Sequence, residues 1–469
     1  MGETMISKAL AKDVLNACLQ TGGDFAEIFL EDTIQEGITL DNGVCEQATT
    51  TYTYGAGIRI LKGLQSVYGY SNDLSKKSLL DLATSLSKSF IGERQKEVTS
   101  INSVKVGHKH GPKIPYETLT KEDKINYLLK GYKAAKEYDS KIVRVTESFS
   151  STNQKVYIFN SDGKFIKDNR IRGRVYLTAI ASKGDAIESS GVGPGASKGF
   201  EFFNDEVNIE EAAKDAARVA VQLLDARECP SGKMPVIIGN GFGGVIFHEA
   251  CGHSLEASAV SKNLSVFSGK LGTQIASKIV SAVDDGTIPG GWGSENVDDE
   301  GHKTHRNVLI KDGILTSYLI DGFNGRRMNA HENGASRRQS YKFEPTSRMS
   351  NTFILPGKST PEEIIKATKF GLYAKSMGGG SVNPATGEFN FAVNEAYIIE
   401  DGKIAYPVKG ATLIGQGKEI LLKIDMVGND LLRAEGMCGA ASGSIPTDVG
   451  QPTIRVSEIT VGGRGEKIN

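Results

Sequence analysis

The sequence predicts an α+β protein of two domains. Helical stretches and turn-punctuated, strand-like runs alternate irregularly along the 469 residues, which is typical of α+β folds rather than of a doubly wound α/β sheet. A Pro-Ser-Gly break at 230–232 separates a half rich in helices from a half made mostly of hairpin-like runs. We therefore expect an N-terminal mixed helix/strand domain, 1–228, and a C-terminal, largely antiparallel β domain, 229–469.

Helix and hairpin signals are clear in the first half. Apolar residues from Ile6 to Leu19 share one helical face, and Gly22-Gly23 ends that helix. Asn42-Gly43 between two apolar runs predicts a tight hairpin turn. We expect further strands at 25–30, 37–40, 50–70 and 141–181, and further helices near 75–86, 120–138 and 208–226.

The second half consists mainly of predicted hairpins. Asp312-Gly313 and Asp401-Gly402 each lie between apolar runs, as hairpin turns do. One helix is expected to begin at Pro361, because proline is favoured at the first helical position, and to run to about Ala374.

Composition and charge argue against several classes of protein. The chain has 55 Lys+Arg and 56 Asp+Glu, a net charge of −1, so bulk positive charge cannot drive binding to nucleic acid. No run of 18 apolar residues suggests a membrane span, and the N-terminus lacks the apolar core of a signal peptide. Five scattered cysteines do not form a disulfide framework. We therefore expect a cytoplasmic protein with neither a nucleic-acid nor a membrane partner.

A glycine-rich segment offers one functional hypothesis. Gly239-Asn240-Gly241-Phe242-Gly243-Gly244 follows an apolar run and precedes an apolar helix, which matches the GxGxxG fingerprint of dinucleotide-binding sites. However, a chain with 55 glycines supplies such matches readily, and residues 258–272 are polar where the next parallel strand should begin. A nucleotide-dependent enzyme is therefore the weaker interpretation.

The same segment carries a metal-binding pattern. His248, Glu249 and His253 form HExxxH, in which two imidazoles could bind zinc and the glutamate could take a proton from an activated water. In an ideal helix, residues five apart diverge by about 140°. Both histidines can bind one metal only if the helix bulges, kinks or ends between them, and Gly252 makes such a distortion feasible.

The third protein ligand of such a zinc site is left open by spacing. Cys251 lies within the motif, but it points away from at least one of the histidines on a helix, and it fits better as a small buried hydrophobic residue. The candidates elsewhere are many carboxylates, His302, His305, His331 and Cys438.

At this point the sequence resembles the TldD/PmbA family of metalloproteases, specifically its TldD branch. The resemblance covers nearly the whole chain and is carried by many short matches in order, among them Tyr54–Arg59, Phe247–Glu256, Gly378–Gly380, Pro407–Gly415, Met426–Asp430, Val449–Thr453 and Thr460–Gly463.

The resemblance implies a metal ion held by both histidines of HExxxH and by the cysteine of a distant GxC. These positions correspond to His248, His253 and Cys438, and Glu249 corresponds to the general base. Zinc is the favoured ion for this donor set, with iron and cobalt as alternatives.

The activity that the resemblance implies is hydrolysis of peptide bonds in unfolded proteins or peptides, in peptide maturation or clearance. It also implies a homodimer, or a heterodimer with an inactive paralogue of the branch that typically lacks the metal motif. The alternative is a non-catalytic, peptide-binding partner subunit, against which the intact motif argues.

Overall fold

The computed structural model describes residues 4–107, 110–383 and 386–468 and has the mixed α+β architecture that the sequence predicts. Among these residues, none of the helices combines the length and the apolar character needed to cross a membrane. The division into two domains at 228/229 stays a prediction.

The N-terminal half is built on one long, mostly antiparallel sheet. Its strands run in the order β3-β2-β1-β5-β6-β4, and β7 and β8 also pair with β6. The elements of this half are α1 (Lys8–Cys18), β1 (Phe25–Asp41), β2 (Val44–Lys62), β3 (Gln65–Ser71), α2 (Lys76–Ser87), β4 (Asn102–Ser103), α3 (Lys121–Lys136), β5 (Ile142–Asn160), β6 (Lys164–Lys183), β7 (Ala186–Val192), β8 (Gly195–Ala196), α4 (Glu201–Asp205) and α5 (Ile209–Leu224).

The hairpin predicted at Asn42-Gly43 is confirmed. Both residues have positive φ, 49° and 77°, as a two-residue type I′ turn between antiparallel strands requires. The two short strands expected at 25–30 and 37–40 are instead a single strand, β1. The reason is that β1 pairs with β2 on one side and with β5 on the other along nearly its whole length, so no break occurs at the polar residues between the two runs.

Helices cover this sheet and form its cores with it. Val14 and Leu15 of α1 are fully buried in one apolar cluster with residues of β1, β2 and α2. Ala213 and Ala217 of α5 are buried in another cluster with residues of β5 and β6. Asn208 caps the start of α5, since its side chain accepts a hydrogen bond from the Glu211 backbone N–H.

The C-terminal half contains two further large sheets. Its elements are β9 (Arg227–Glu228), β10 (Gly232–Ile238), α6 (Val245–Phe247), α7 (Ala257–Val260), β11 (Ala282–Asp285), β12 (Arg306–Lys311), β13 (Ile314–Leu315), α8 (Gly322–Met328), β14 (Ser336–Arg337), β15 (Thr346–Ser347), β16 (Asn351–Ile354), α9 (Pro361–Lys366), β17 (Phe370–Val382), β18 (Glu388–Glu400), β19 (Lys403–Lys409), β20 (Thr412–Gln416), α10 (Gly417–Ile420), β21 (Ile424–Val427), β22 (Leu432–Ala440), β23 (Gly443–Gln451) and β24 (Ile454–Gly462).

The strand order in this half brings distant segments together. Strands β17, β10, β24, β20 and β18 pair in sequence, and β18 pairs again with β17, which closes a ring. A second sheet has the order β13-β12-β11-β16-β23-β22, so β22 is its last strand. The hairpins predicted at Asp312-Gly313 and Asp401-Gly402 are confirmed, because all four residues have positive φ.

The helix predicted at Pro361 begins there but is shorter than expected. Thr360 and Glu363 form a capping box at its start, and α9 ends at Lys366 instead of near 374. Residues from Phe370 onward form β17, because Leu372 to Ala374 pair in parallel with Val236 to Ile238 of β10. Long-range strand pairing overrides the local helical pattern at this point.

Candidate metal centre

The HExxxH segment lies on a distorted helix that follows the first strand of the C-terminal half. After β10, the chain makes a 3-10 turn at Gly241–Gly244, continues through α6, and enters a π-turn at His248–Gly252. Within it, the backbone N–H of His253 donates to the carbonyl of His248, five residues earlier. The bulge that the motif spacing requires is therefore present.

The π-turn places the two imidazoles on one side of the helix. The ring centroids of His248 and His253 are 5.0 Å apart, although residues five apart diverge on a regular α-helix. Gly252 is needed here, because a Cβ at this position would lie 2.1 Å from the Met349 Sδ atom. Glycine thus allows both the unusual turn and the close packing of a buried methionine.

Cys438 joins the two histidines from the other end of the chain. It lies on β22, is 4% exposed, and its Sγ is 3.2 Å from His248 Nε2 and 3.3 Å from His253 Nε2. All three donor atoms lie within 4.8 Å of one another. The structure therefore brings together the three residues that the family resemblance selects.

The other candidate ligands lie elsewhere. His302 is grouped with Asp298 and Glu300 in a separate cluster, where its Nδ1 is 3.6 Å from Asp298 Oδ2. Among the described residues, His305 and His331 do not belong to the group around His248. Cys251 is fully buried in the apolar core, where burial raises the pKa of its thiol.

The donor set fits a zinc ion. Two imidazole nitrogens and one thiolate are zinc ligands, and in a tetrahedral site such atoms are about 3.5 Å apart, close to the 3.2 and 3.3 Å separations found here. Catalytic zinc sites commonly have three protein ligands and leave a fourth position to water or substrate.

Electrostatics favour the thiolate form of Cys438. Burial raises the pKa of this thiol, but the neighbouring His248 and His253 imidazoles lower it by a larger amount. The resulting pKa is about 3. In His253 burial lowers the imidazole pKa, and the Glu256 carboxylate and Cys438 raise it well above its usual range. The thiolate is the form of cysteine that binds metals.

Glu249 lines a cleft next to these groups. Its Oε2 is 3.7 Å from His253 Nε2, and its side chain is 23% exposed. The cleft has a volume of about 350 Å³ and is lined by Glu249, His253, Glu256, Ser258, Ala259, Val382, Gly439 and Ala440. Glu249 is therefore open to a substrate, whereas His248 and Cys438 are buried.

Two further residues at the centre were not found from the sequence. Glu256 Oε1 is 3.2 Å from His253 Nδ1, and Arg348 contacts the strand that carries Cys438. Glu256 had a local signal, since it follows His253 at helical spacing. Arg348 had none, because its role depends on the pairing of distant segments.

The glycine-rich segment before the motif is explained by packing. A Cβ at Gly244 would lie 2.4 Å from the backbone of Gly450 on β23, and one at Gly243 would lie 2.8 Å from Gln451. These glycines allow the turn to approach the strand next to β22. Their presence therefore needs no nucleotide to account for it.

Comparison with known proteins identifies the family of this chain. Three family models match in order along the chain, described as PmbA/TldA metallopeptidase domain 1 at residues 26–89, central domain at 114–224 and C-terminal domain at 231–463. The chain belongs to the TldD/PmbA metallopeptidase family. The candidate metal centre of this TldD/PmbA protein lies within the part matched by the C-terminal domain model.

Relatives of this TldD/PmbA protein carry metalloprotease names. It is 37% identical to a Haemophilus influenzae protein named metalloprotease TldD homolog, over 94% of this chain and 93% of the relative. A Saccharolobus solfataricus protein named zinc metalloprotease TldD homolog is 26% identical, over 66% of this chain and 69% of the relative. The crystal structure of TldE from Thermococcus kodakarensis has the same fold, with a TM-score of 0.75 at 20% identity, covering 94% of this chain and 97% of TldE.

Proposed function

We propose that this chain is a zinc-dependent peptidase that hydrolyses peptide bonds in unfolded proteins or peptides, in peptide maturation or clearance. The observation that carries the proposal is the convergence of two imidazoles and one thiolate, with Cys438 Sγ 3.2 and 3.3 Å from the Nε2 atoms of His248 and His253. Two imidazole nitrogens and one thiolate sulfur are all zinc ligands, and three protein ligands are the usual number in a catalytic zinc site.

The residues of the centre have distinct roles in this proposal. His248, His253 and Cys438 hold the metal ion, which when bound supplies a Lewis acid that activates water and polarises the scissile carbonyl. Glu249 accepts the proton of the attacking water and passes it to the leaving amine. Its position beside His253, at the open cleft, supports this role.

In the described part of the chain, one edge of β22 has no strand paired with it, which supports a peptide substrate. Strand β23 pairs with one side of β22 in the register Ala440↔Gly443 and Cys438↔Ile445. The backbone groups of Met437 and Gly439, which alternate with these two positions, therefore point away from β23. Both residues are exposed. An extended peptide could add as a strand at this edge, using main-chain hydrogen bonds that require no particular side chain.

The decisive experiment measures zinc content and peptidase activity together. Wild type and Cys251→Ser should each bind one zinc per chain and cleave an unfolded protein, whereas Cys438→Ser should lose most of both. Cys251 is the matched control, because it is a buried thiol of the same core that lies outside the group of donor atoms. Full zinc content in Cys438→Ser would show that another residue is the third ligand.

A non-catalytic, peptide-binding partner subunit is the second candidate, and the likeness in fold to TldE supports it. This candidate predicts that wild type binds unfolded peptides but has neither stoichiometric metal nor cleavage. Metal without cleavage would instead indicate that activity requires a partner subunit.

We further propose a homodimer, or a heterodimer with an inactive paralogue, in the reducing cytoplasm. The exposed edge of residues 44–55 of β2 is the observation that supports the proposed dimer. In the described part of the chain this stretch pairs with β1 on one side and has no neighbouring strand on the other. Tyr52 and Tyr54 are exposed along it, and uncovered edges of this length favour pairing with another chain. Light scattering on the purified protein would give the mass of the assembly.

The proposed location in the cytoplasm is supported by the five free cysteines, which suit a reducing compartment.

A further inference from the structure

Two separate parts of the fold must be held in register for the candidate centre to exist. His253 follows the π-turn, and Cys438 lies on β22, 185 residues later in the chain. Strand β22 is the last strand of its sheet, and among the described residues β23 alone pairs with it. A buried side chain that contacts both parts would therefore control the geometry of the donor atoms.

Arg348 holds the strand side of the centre. Its side chain is fully buried, and its Nη2 donates to the backbone carbonyl of Cys438. Its Nη1 donates to Ser442 Oγ at 3.0 Å and to the Gly443 carbonyl at 2.9 Å. One guanidinium thus fixes the strand at the thiolate and the turn that connects β22 to β23.

The same guanidinium faces the histidine side through Glu256. Arg348 Nε is 3.8 Å from Glu256 Oε1, and that oxygen is 3.2 Å from His253 Nδ1. A carboxylate at Nδ1 fixes the orientation of the ring. It leaves Nε2, the atom beside Cys438, as the nitrogen that binds the metal. Glu256 is 5% exposed, so the cationic guanidinium also offsets the cost of burying its charge.

The residue after Arg348 contacts the π-turn itself. Met349 is fully buried and packs against Gly252. The segment that presents Arg348 is therefore in contact with both sources of ligands. Arg348 is also anchored by its own backbone, whose N–H donates to the Ala335 carbonyl.

We propose that Arg348 and Glu256 are positioning residues that lock the thiolate of Cys438 and the imidazole of His253 into one metal-binding geometry. The proposal rests on the proposed function, in which these two residues and His248 hold the metal. The planar fork of arginine is essential to it, because lysine offers a single ammonium that cannot face the carbonyls of the turn and the carboxylate at once.

The test uses the intact protein with zinc or cobalt as the probe, and it needs no activity measurement. Arg348→Lys and Glu256→Gln should each weaken zinc binding by about 10–100-fold in competition with a chelator. The thiolate-to-cobalt charge-transfer band and the visible ligand-field bands of the Co²⁺ protein should also change in position or intensity. A merely structural role would lower the melting temperature but leave these bands as they are in wild type.

Arg338→Lys is the matched control. Arg338 is another fully buried arginine, but it pairs with Glu27 at the interface with the N-terminal sheet. This variant should lower the melting temperature while leaving zinc affinity and the cobalt spectrum unchanged. Ser442→Ala, which removes one acceptor of Arg348 and keeps the guanidinium, gives a milder perturbation if Arg348→Lys does not fold.

The double variant Arg348→Lys/Glu256→Gln shows whether the two residues act in series. If they do, its zinc affinity should equal that of whichever single variant binds zinc less tightly. If they act independently, the two fold-losses of affinity should multiply. Wild-type zinc binding and cobalt bands in the folded single variants would overturn the positioning proposal and leave the proposed function intact. A wild-type protein without a thiolate-to-cobalt band would instead overturn the ligand set itself.

Discussion

Single residues at the candidate centre differ in exposure. His248 and Cys438 are 3% and 4% exposed, whereas Glu249 and His253 line the cleft. A general base must reach substrate and solvent, and ligands need only reach the metal. The two kinds of residue can therefore be separated by mutation.

Glu249→Gln should retain the metal and lose turnover. The amide keeps the shape of the side chain but cannot accept a proton, so we expect kcat on an unfolded substrate to fall by about 10²–10⁴-fold. Zinc content should remain near one per chain, because Glu249 is not one of the grouped donors. Substantial turnover in this variant would overturn the assignment of the base.

Glu147 should make stability depend on pH. Burial raises the pKa of this carboxyl to about 8, above the value of about 4.3 expected in an unfolded chain. The folded state therefore binds the proton more tightly, so this contribution to stability is present at low pH and is lost as the pH rises toward 8. Glu147→Gln should consequently lose less thermal stability than wild type between pH 5 and 8.

Melting temperatures across that range test the Glu147 prediction. Glu122→Gln is the control, since Glu122 is an exposed residue on a neighbouring helix, α3. The melting temperature of this variant should depend on pH as that of wild type does. Equal slopes for wild type and Glu147→Gln would show that the carboxyl does not carry the effect.

At the scale of elements, the π-turn is the feature on which the candidate metal centre depends. It converts a five-residue spacing, unfavourable on a regular helix, into a convergent pair of imidazoles. Neighbouring elements leave little room around it, since Met349 fills the space beside Gly252. The short stretches of 3-10, α and π geometry around the motif are therefore stabilised by tertiary packing rather than by helix propensity.

Gly252→Ala should destabilise the protein and reduce its zinc content, although alanine favours an α-helix by about 1 kcal/mol relative to glycine. The added methyl group would lie 2.1 Å from Met349 Sδ, so the buried methionine or the turn must move. Thermal melting and zinc analysis check this. The double variant Gly252→Ala/Met349→Ala should regain part of the zinc content. A Gly252→Ala protein with the melting temperature and zinc content of wild type would contradict the steric explanation.

At the scale of the whole molecule, buried ion pairs join the N-terminal sheet to the C-terminal half. Arg170 on β6 is 2.6 Å from Asp299, and Arg59 on β2 contacts Glu300. All four side chains are at most 4% exposed. Losing one partner of such a pair leaves an uncompensated buried charge, so these contacts fix how the two halves meet.

Arg170→Met should therefore lower the free energy of unfolding by about 3–5 kcal/mol, because Asp299 loses its cationic partner. The midpoint of chemical denaturation measures the effect. Arg144→Met is the control, since it breaks an exposed pair with Asp41 on the same sheet and should leave the midpoint nearly unchanged. Similar midpoints for the two variants would mean that the buried pairs do not couple the halves.

The sequence by itself determined the features that depend on local chemistry. Asn42-Gly43, Asp312-Gly313 and Asp401-Gly402 predicted their turns, because these residue pairs tolerate the positive φ that the turns require. The spacing of His248 and His253 likewise predicted that the helix must be distorted between them, and the π-turn has that form. The resemblance to the family added Cys438, which spacing alone could not separate from His302, His305 and His331.

Only the tertiary structure decided the features that depend on long-range pairing. The order β16-β23-β22 carries Cys438 to the histidines, the parallel pairing of β10 with β17 ends the helix that began at Pro361, and Arg348 reaches the centre through contacts with β22 and Glu256. The physical reason is that strand pairing and burial join residues far apart in sequence. No local pattern records which distant strand a segment will meet.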